Sequence, residues 1–336
     1  MSEPIPRNPM VADAHNDLLL AVRHMRERGH PDPFGAEFLP QLRAGGVRLQ
    51  VLPICTEDQF VGEGALRRAM VLLEEAYRLA YEHADDVLLV RTKSELEDAL
   101  TSGRIALILA LEGAEPIGGG LELIDTFFRS GVRMASLSWN RRTMMADGVG
   151  ESDTGGRLTT LGVAAIAVME ERGMIVDVSH LSRAGFDHFA DIVQKPFIAS
   201  HSSCASLQPH PRNLDDDQLL VMKDKQALVC LNAFGPFLSD APDVDAYLDH
   251  VEHAVSVLGQ SQVGLGTDFL LDVAKIVDPI LSGLLVPIDD LPWVEGLSRP
   301  ADFASFIPRL NQRLGASAAN AVAGENLTSF LRAALP

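Results

Sequence analysis

Short apolar runs recur along the chain at fairly even intervals. They are PMVADA (9–14), GVRLQVLPI (46–54), RIALILAL (104–111), VRMASLS (132–138), MIVDVS (174–179), PFIAS (196–200), ALVCLN (227–232) and QVGLGT (262–267). They are rich in β-branched residues and bounded by Gly, Pro or charges, which predicts short strands buried on both faces. Between them lie longer segments with apolar residues at helical spacing, at 65–84, 158–173, 183–193 and 245–259. Thr159 or Thr160 is placed to cap the second of these, and Gly173 to close it.

Eight strands alternating with helices predict a parallel sheet, and the count favours a closed (β/α)8 TIM-type barrel. DVLLVR (86–91) is a ninth apolar run, expected as an extra piece between strands two and three. The stretch from about 270 to 300, with Pro279, Pro287, Pro292 and Pro300, is expected as a long loop, either a lid or an irregular insertion. The length of 336 residues suits one barrel, so residues 1–336 are expected to form a single domain.

Composition narrows the functional classes. An apolar share of 47% is enough for a substantial core. The 28 basic and 46 acidic residues leave a net charge of −18. That argues against nucleic acid and anionic membranes as partners, because both need a basic face. Cys55, Cys204 and Cys230 are far apart and form no CxxC pair. This pattern argues against a disulfide framework and against a zinc site built from cysteines. The opening MSEPIPRNPMV lacks the apolar core of a signal peptide, and no run has membrane-spanning length. The expected location is the cytoplasm.

In a barrel the site lies at the C-terminal ends of the strands. Strand one ends in His15-Asn16-Asp17, strand three in Glu112-Gly113 and strand four in Trp139-Asn140. Strand five ends in Ser179-His180, strand six in Ser200-His201-Ser202-Ser203 and strand eight in Thr267-Asp268. Each group alone has an ordinary explanation. His-x-Asp can be a structural hydrogen bond, Glu112 a solvated loop residue, His180 a satisfied core histidine, and His201 or Asp268 a cap. Their joint placement after five separate strands points instead to a metal centre, since imidazole and carboxylate suit zinc, manganese, iron or cobalt. Five or six such ligands exceed the need of one tetrahedral ion and suffice for two ions sharing a carboxylate. His24, His30, His83, His188 and His253 lack this placement and are expected at the surface or in helix packing; His210 and His250 also follow no strand.

The motifs DAHNDLL (13–19), ALEGAEPI (110–117), SWNRRTMMADG (138–148), GMIVDVSHLS (173–182), PFIASHSS (196–203), PRNLDDDQL (211–219), VGLGTDF (263–269) and GENL (324–327) carry a resemblance. In this order they resemble the renal (membrane) dipeptidase family, metallopeptidases on an amidohydrolase-type barrel. The resemblance implies two zinc ions: His15, Asp17 and Glu112 would hold one, and Glu112 would bridge to a second held by His180 and His201. It implies Asp268 as the catalytic carboxylate and Arg212 as the group that binds the substrate's C-terminal carboxylate, a task that suits a guanidinium. A water made acidic by two metals would attack the peptide carbonyl. Asp268 would take its proton and pass it to the leaving amine.

The chain departs from the pattern at Trp139, where the best-known members carry a histidine thought to stabilise the oxyanion. It also departs at Ala114-Glu115 and Leu270-Leu271, where Gly-His and Asp-Gly are common. Trp139 and Asn140 are expected to line the substrate pocket. The expected activity is hydrolysis of dipeptides, including those with C-terminal D-residues. The alternatives are another metal-dependent amidohydrolase, acting on a lactam, an N-acyl amino acid or a cyclic amide, and a non-catalytic metal-stabilised binding protein. The resemblance also suggests a homodimer.

Overall fold

The computed structural model describes residues 10–277 and 291–336. Nine strands are present among them: β1 Val11–Asp13, β2 Val47–Cys55, β3 Val87–Leu89, β4 Ile105–Glu112, β5 Val132–Ser136, β6 Ile175–Asp177, β7 Ile198–Ala199, β8 Leu228–Leu231 and β9 Val263–Leu265. All pair in parallel, in the order β2-β1-β9-β8-β7-β6-β5-β4, and a β2–β4 pairing closes the ring. Each of the eight expected runs supplies one strand of this (β/α)8 barrel. β3, the extra run, pairs with the first residues of β4, where Val87 meets Ile105. β5 takes over the same edge of β4 from Leu109 onward, so β3 stays outside the ring.

Strands with both faces buried divide their side chains between two layers. Along β4, Ala106, Ile108 and Ala110 join an inner cluster with Leu49, Val51, Met134, Ile198 and Cys230. Leu107, Leu109 and Leu111 face the larger outer layer between barrel and helices. Glu112 continues the inner series at the end of β4. The alternation that packs the barrel therefore turns this carboxylate into its mouth.

The predicted helices form at Glu63–Glu82, Thr160–Arg172, Arg183–Ile192 and Val244–Leu258. Thr159, not Thr160, caps the second: its hydroxyl accepts the Gly162 N–H at 3.0 Å, and Gly173 ends the helix at φ 77°. The expected long loop needs correction, because it begins with a helix, Leu271–Val277. Apolar positions at 270, 273, 276 and 277 give that short segment a face to bury. Pro279 and Pro287 lie outside the described residues. Among the described residues no helix is long and apolar enough to cross a membrane.

Candidate metal centre

The strand ends bring His15, Asp17, Glu112, His180, His201 and Asp268 together, all buried. Two of them sit on strained backbone: His180 has φ 70° and Asp268 φ 52°. A left-handed conformation is uncommon outside glycine and persists where the surroundings fix it. The Asp268 N–H donates to the His15 carbonyl at 3.0 Å, which ties the ends of β1 and β9 together.

The two histidines of the second group have fixed proton positions. His180 Nδ1 lies 2.9 Å from Asn140 Oδ1, and His201 Nδ1 lies 2.7 Å from Ser200 Oγ. The Ser200 hydroxyl is 2.5 Å from Asp177 Oδ2, a carboxylate oxygen that can only accept. Ser200 therefore gives its proton to Asp177 and accepts one from His201 Nδ1. With the Asn140 carbonyl facing His180, both rings carry their proton on Nδ1 and present a bare Nε2. Those two Nε2 atoms are 2.8 Å apart, and they lie 2.9 and 3.4 Å from Glu112 Oε1. Three atoms able to ligate a metal converge on one point, an arrangement suited to a cation.

The His15 side has the same character. His15 Nε2 lies 3.6 Å from Glu112 Oε1, 3.9 Å from Asp17 Oδ2 and 4.0 Å from Asp268 Oδ1. These are too long for hydrogen bonds. They approach the separation of about 3.4 Å between tetrahedral ligands at zinc-like bond lengths. His15 Nε2, Asp17 Oδ1 and Glu112 Oε2 are buried without a hydrogen-bond partner. The donor set thus fits a pair of divalent ions.

Proton affinities report the same crowding. Burial works against a charged His15, but Glu112, Asp17 and Asp268 outweigh it and raise its pKa to about 10. Burial, then Asp17, push Glu112 up to about 8. Burial, reinforced by the positive charges of Arg212 and His15, holds His180 and His201 well below the usual imidazole range. Neutral imidazole is the form that binds a metal.

A cavity of about 340 Å³ opens onto this cluster. Trp139, Asn140 and Arg212 line it, as do Leu20, Phe234, Phe237, Leu270 and Val273. Arg212 is buried, donates from Nη2 to the His201 carbonyl at 3.0 Å and lies over the Phe237 ring at 5.6 Å. Asn140 both lines the cavity and holds His180 from behind. At the rim, Glu57 accepts from Arg68 at 2.7 Å and lies 2.8 Å from His24 Nε2. His250 is buried and satisfied, with Nδ1 accepting from Cys204 N and Nε2 on the Leu238 carbonyl, both at 3.0 Å.

Three supporting residues escaped the sequence reasoning. Asn232, after β8, donates to Asp268 Oδ2 at 3.0 Å. Asp13 accepts from Thr267 N and Oγ1, both at 2.9 Å, and from Gln50 at 3.1 Å. Asp177 accepts from Ser179 N at 2.9 Å and Ser200 N at 3.0 Å. Asn232 closes its apolar run just as the metal-site candidates close theirs, so the strand-end rule would find it. Asp13 and Asp177 lie inside their runs, and only their breaking of an apolar series marks them.

Residues 2–278 match the family model described as membrane dipeptidase (peptidase family M19). Dipeptidase verJ of Clonostachys rogersoniana is 33% identical over 242 residues, covering 69% of this chain and 62% of that protein. The match thus spans less than two thirds of that relative's length. Dipeptidase aclJ of Aspergillus oryzae is 28% identical over 330 residues, covering 88% of this chain and 78% of the relative. A metallopeptidase from Rhodobacter sphaeroides, solved with a phosphinate mimic of the dipeptide L-Ala-D-Ala, superimposes with a TM-score of 0.84. It shares 23% identity over 98% of this chain and 100% of its own, a likeness of fold. With the family model matching most of its length, this chain belongs to the membrane dipeptidase family, peptidase family M19.

Proposed function

We propose that this protein is a dinuclear zinc dipeptidase. The observation that carries the reading is the convergence of His180 Nε2 and His201 Nε2, 2.8 Å apart, on Glu112 Oε1 within 3.4 Å. In this reading His15, Asp17 and Glu112 hold one ion, and Glu112, His180 and His201 the other. Two such ions supply an acidified water as nucleophile and a Lewis acid for the carbonyl oxygen. The rest is done by the chain itself. Arg212, desolvated and backed by Phe237, takes the substrate's C-terminal carboxylate in a two-pronged hydrogen bond. Asp268 receives the nucleophile's proton on Oδ1, while Asn232 holds Oδ2 and fixes the direction of the other oxygen. Asn140 keeps the His180 ring turned inward, and Trp139 walls the cavity beside it, 5.9 Å from that ring.

The substrate class is dipeptides, including those with a D-residue at the C-terminal position. The L-Ala-D-Ala mimic bound by the structurally similar Rhodobacter sphaeroides enzyme supports that extension. The test is release of free amino acids from a panel of L,L- and L,D-dipeptides by zinc-loaded protein, with a chelated control. Turnover that vanishes on chelation and returns with zinc is expected. Two bound metals with every dipeptide left intact would sink the reading. That outcome would favour a second one, hydrolysis of a lactam, an N-acyl amino acid or a cyclic amide. The apolar wall of Leu20, Phe234, Phe237, Leu270 and Val273 is what recommends it.

A further inference from the structure

Cys55 ends β2 directly opposite Glu112, its partner in the β2–β4 register. It is partly exposed and lines the same cavity as the metal cluster. Its sulfur, one oxygen of Asp17 and one oxygen of Glu112 all lie within 4.8 Å of one another. Asp17 Oδ1 and Glu112 Oε2 are buried with no N–H or O–H donor, and only the Cys55 thiol approaches the Glu112 carboxyl as one. A thiol offers one weak donor, which cannot satisfy both oxygens. Two desolvated carboxylates and a sulfur on one face are instead a ligand set.

We infer that Cys55 is a ligand of the ion held by Asp17 and Glu112, making that half of the centre a mixed sulfur, oxygen and nitrogen site. The inference rests on the dinuclear reading above. On binding, a sulfur–metal bond forms and the thiol proton leaves to solvent; no electrons are transferred. A sulfur donor favours zinc, cobalt or cadmium over magnesium and manganese. The half built on His180, His201 and Glu112 carries no such donor. The two halves should therefore differ in metal preference, and the sulfur half should retain zinc against excess manganese.

The experiment loads the full chain with cobalt(II), counts the bound ions and records the near-ultraviolet spectrum for the wild type and for Cys55→Ser. A thiolate–cobalt charge-transfer band must come from Cys55. Cys204 is buried with its sulfur 3.6 Å from the His250 carbonyl, and Cys230 lies in the inner barrel cluster. The expected result is two cobalt ions per chain and a charge-transfer band that the Ser variant loses. Two bound ions without the band, or a band that survives in the variant, would overturn the inference and leave the dinuclear reading intact. Failure to bind cobalt would overturn both. If Cys55→Ser does not fold, alkylation of the wild-type thiol decides. Zinc is expected to protect Cys55 from iodoacetamide, and equal labelling with and without zinc would overturn the assignment.

Discussion

The proton-accepting role proposed for Asp268 falls on a backbone that few residues tolerate. At φ 52° it occupies the left-handed region, where Asp and Asn are among the side chains that fit best. Asp268→Asn therefore preserves the local fold while removing the carboxylate. The expected result is a loss of about 10²–10⁴ in kcat, the usual range for a general base, with metal content unchanged. Metal analysis alongside kinetics checks this; retained activity would remove Asp268 from the chemistry. Asn140 acts differently, through the ring it holds. Asn140→Ala frees His180 Nδ1 and lets the imidazole rotate. Partners behind a metal ligand are typically worth about 10–100-fold in affinity. Titration with a competing chelator should find one of the two proposed ions weakened by that much, and the other little changed.

Among the elements, the strand ends were legible and the layer beneath them was not. The runs could be read because both faces are buried, and their terminal polar residues stood out because nothing in an apolar core explains them. Asp13 and Asp177 read as interruptions within β1 and β6, although they hold the ends of β9 and β7 through backbone and hydroxyl donors. Cys55 looked like an isolated cysteine because the register that sets it opposite Glu112 is not written in local sequence. The helix Leu271–Val277 was hidden by the run of prolines that follows it. Glycine spacing at the barrel mouth was equally invisible. A Cβ on Gly266 would come 1.7 Å from the Ser200 carbonyl oxygen and 2.9 Å from Cys230 Cβ. The first contact is with backbone, so no rotamer change relieves it. Gly266→Ala should drive apart the strand ends that carry His201 and Asp268. It is expected to cost about 1–3 kcal/mol, the usual price of overpacking. Denaturant titration should show a lower midpoint at unchanged m-value, with weaker zinc binding; wild-type values for both would contradict this account of the mouth.

On the scale of the whole molecule, the cluster ties stability to both pH and metal. Without metal, His15 holds its proton up to a pKa of about 10 and Glu112 up to about 8. Both exceed the ordinary values of 6.5 and 4.5 that apply in the unfolded chain. Between pH 7 and 9 the folded metal-free protein therefore binds more protons than the unfolded one, and its stability falls as pH rises. His180 and His201 are shifted the other way, well below 6.5. Their contribution rises with pH, is nearly complete by about pH 8, and above pH 7 is too small to reverse the slope set by His15 and Glu112. Zinc competes with the same protons on His15 and Glu112, so its affinity rises over this range. Ligand that binds only the folded state stabilises it by about 2.7 kcal/mol at a concentration 100 times Kd, and by more as Kd falls. Melting curves at pH 7, 8 and 9 should consequently diverge. The Tm of chelated protein is expected to drop across the series, while the increment given by a fixed zinc concentration grows. Parallel curves would mean that His15 and Glu112 are not the groups that exchange protons for metal.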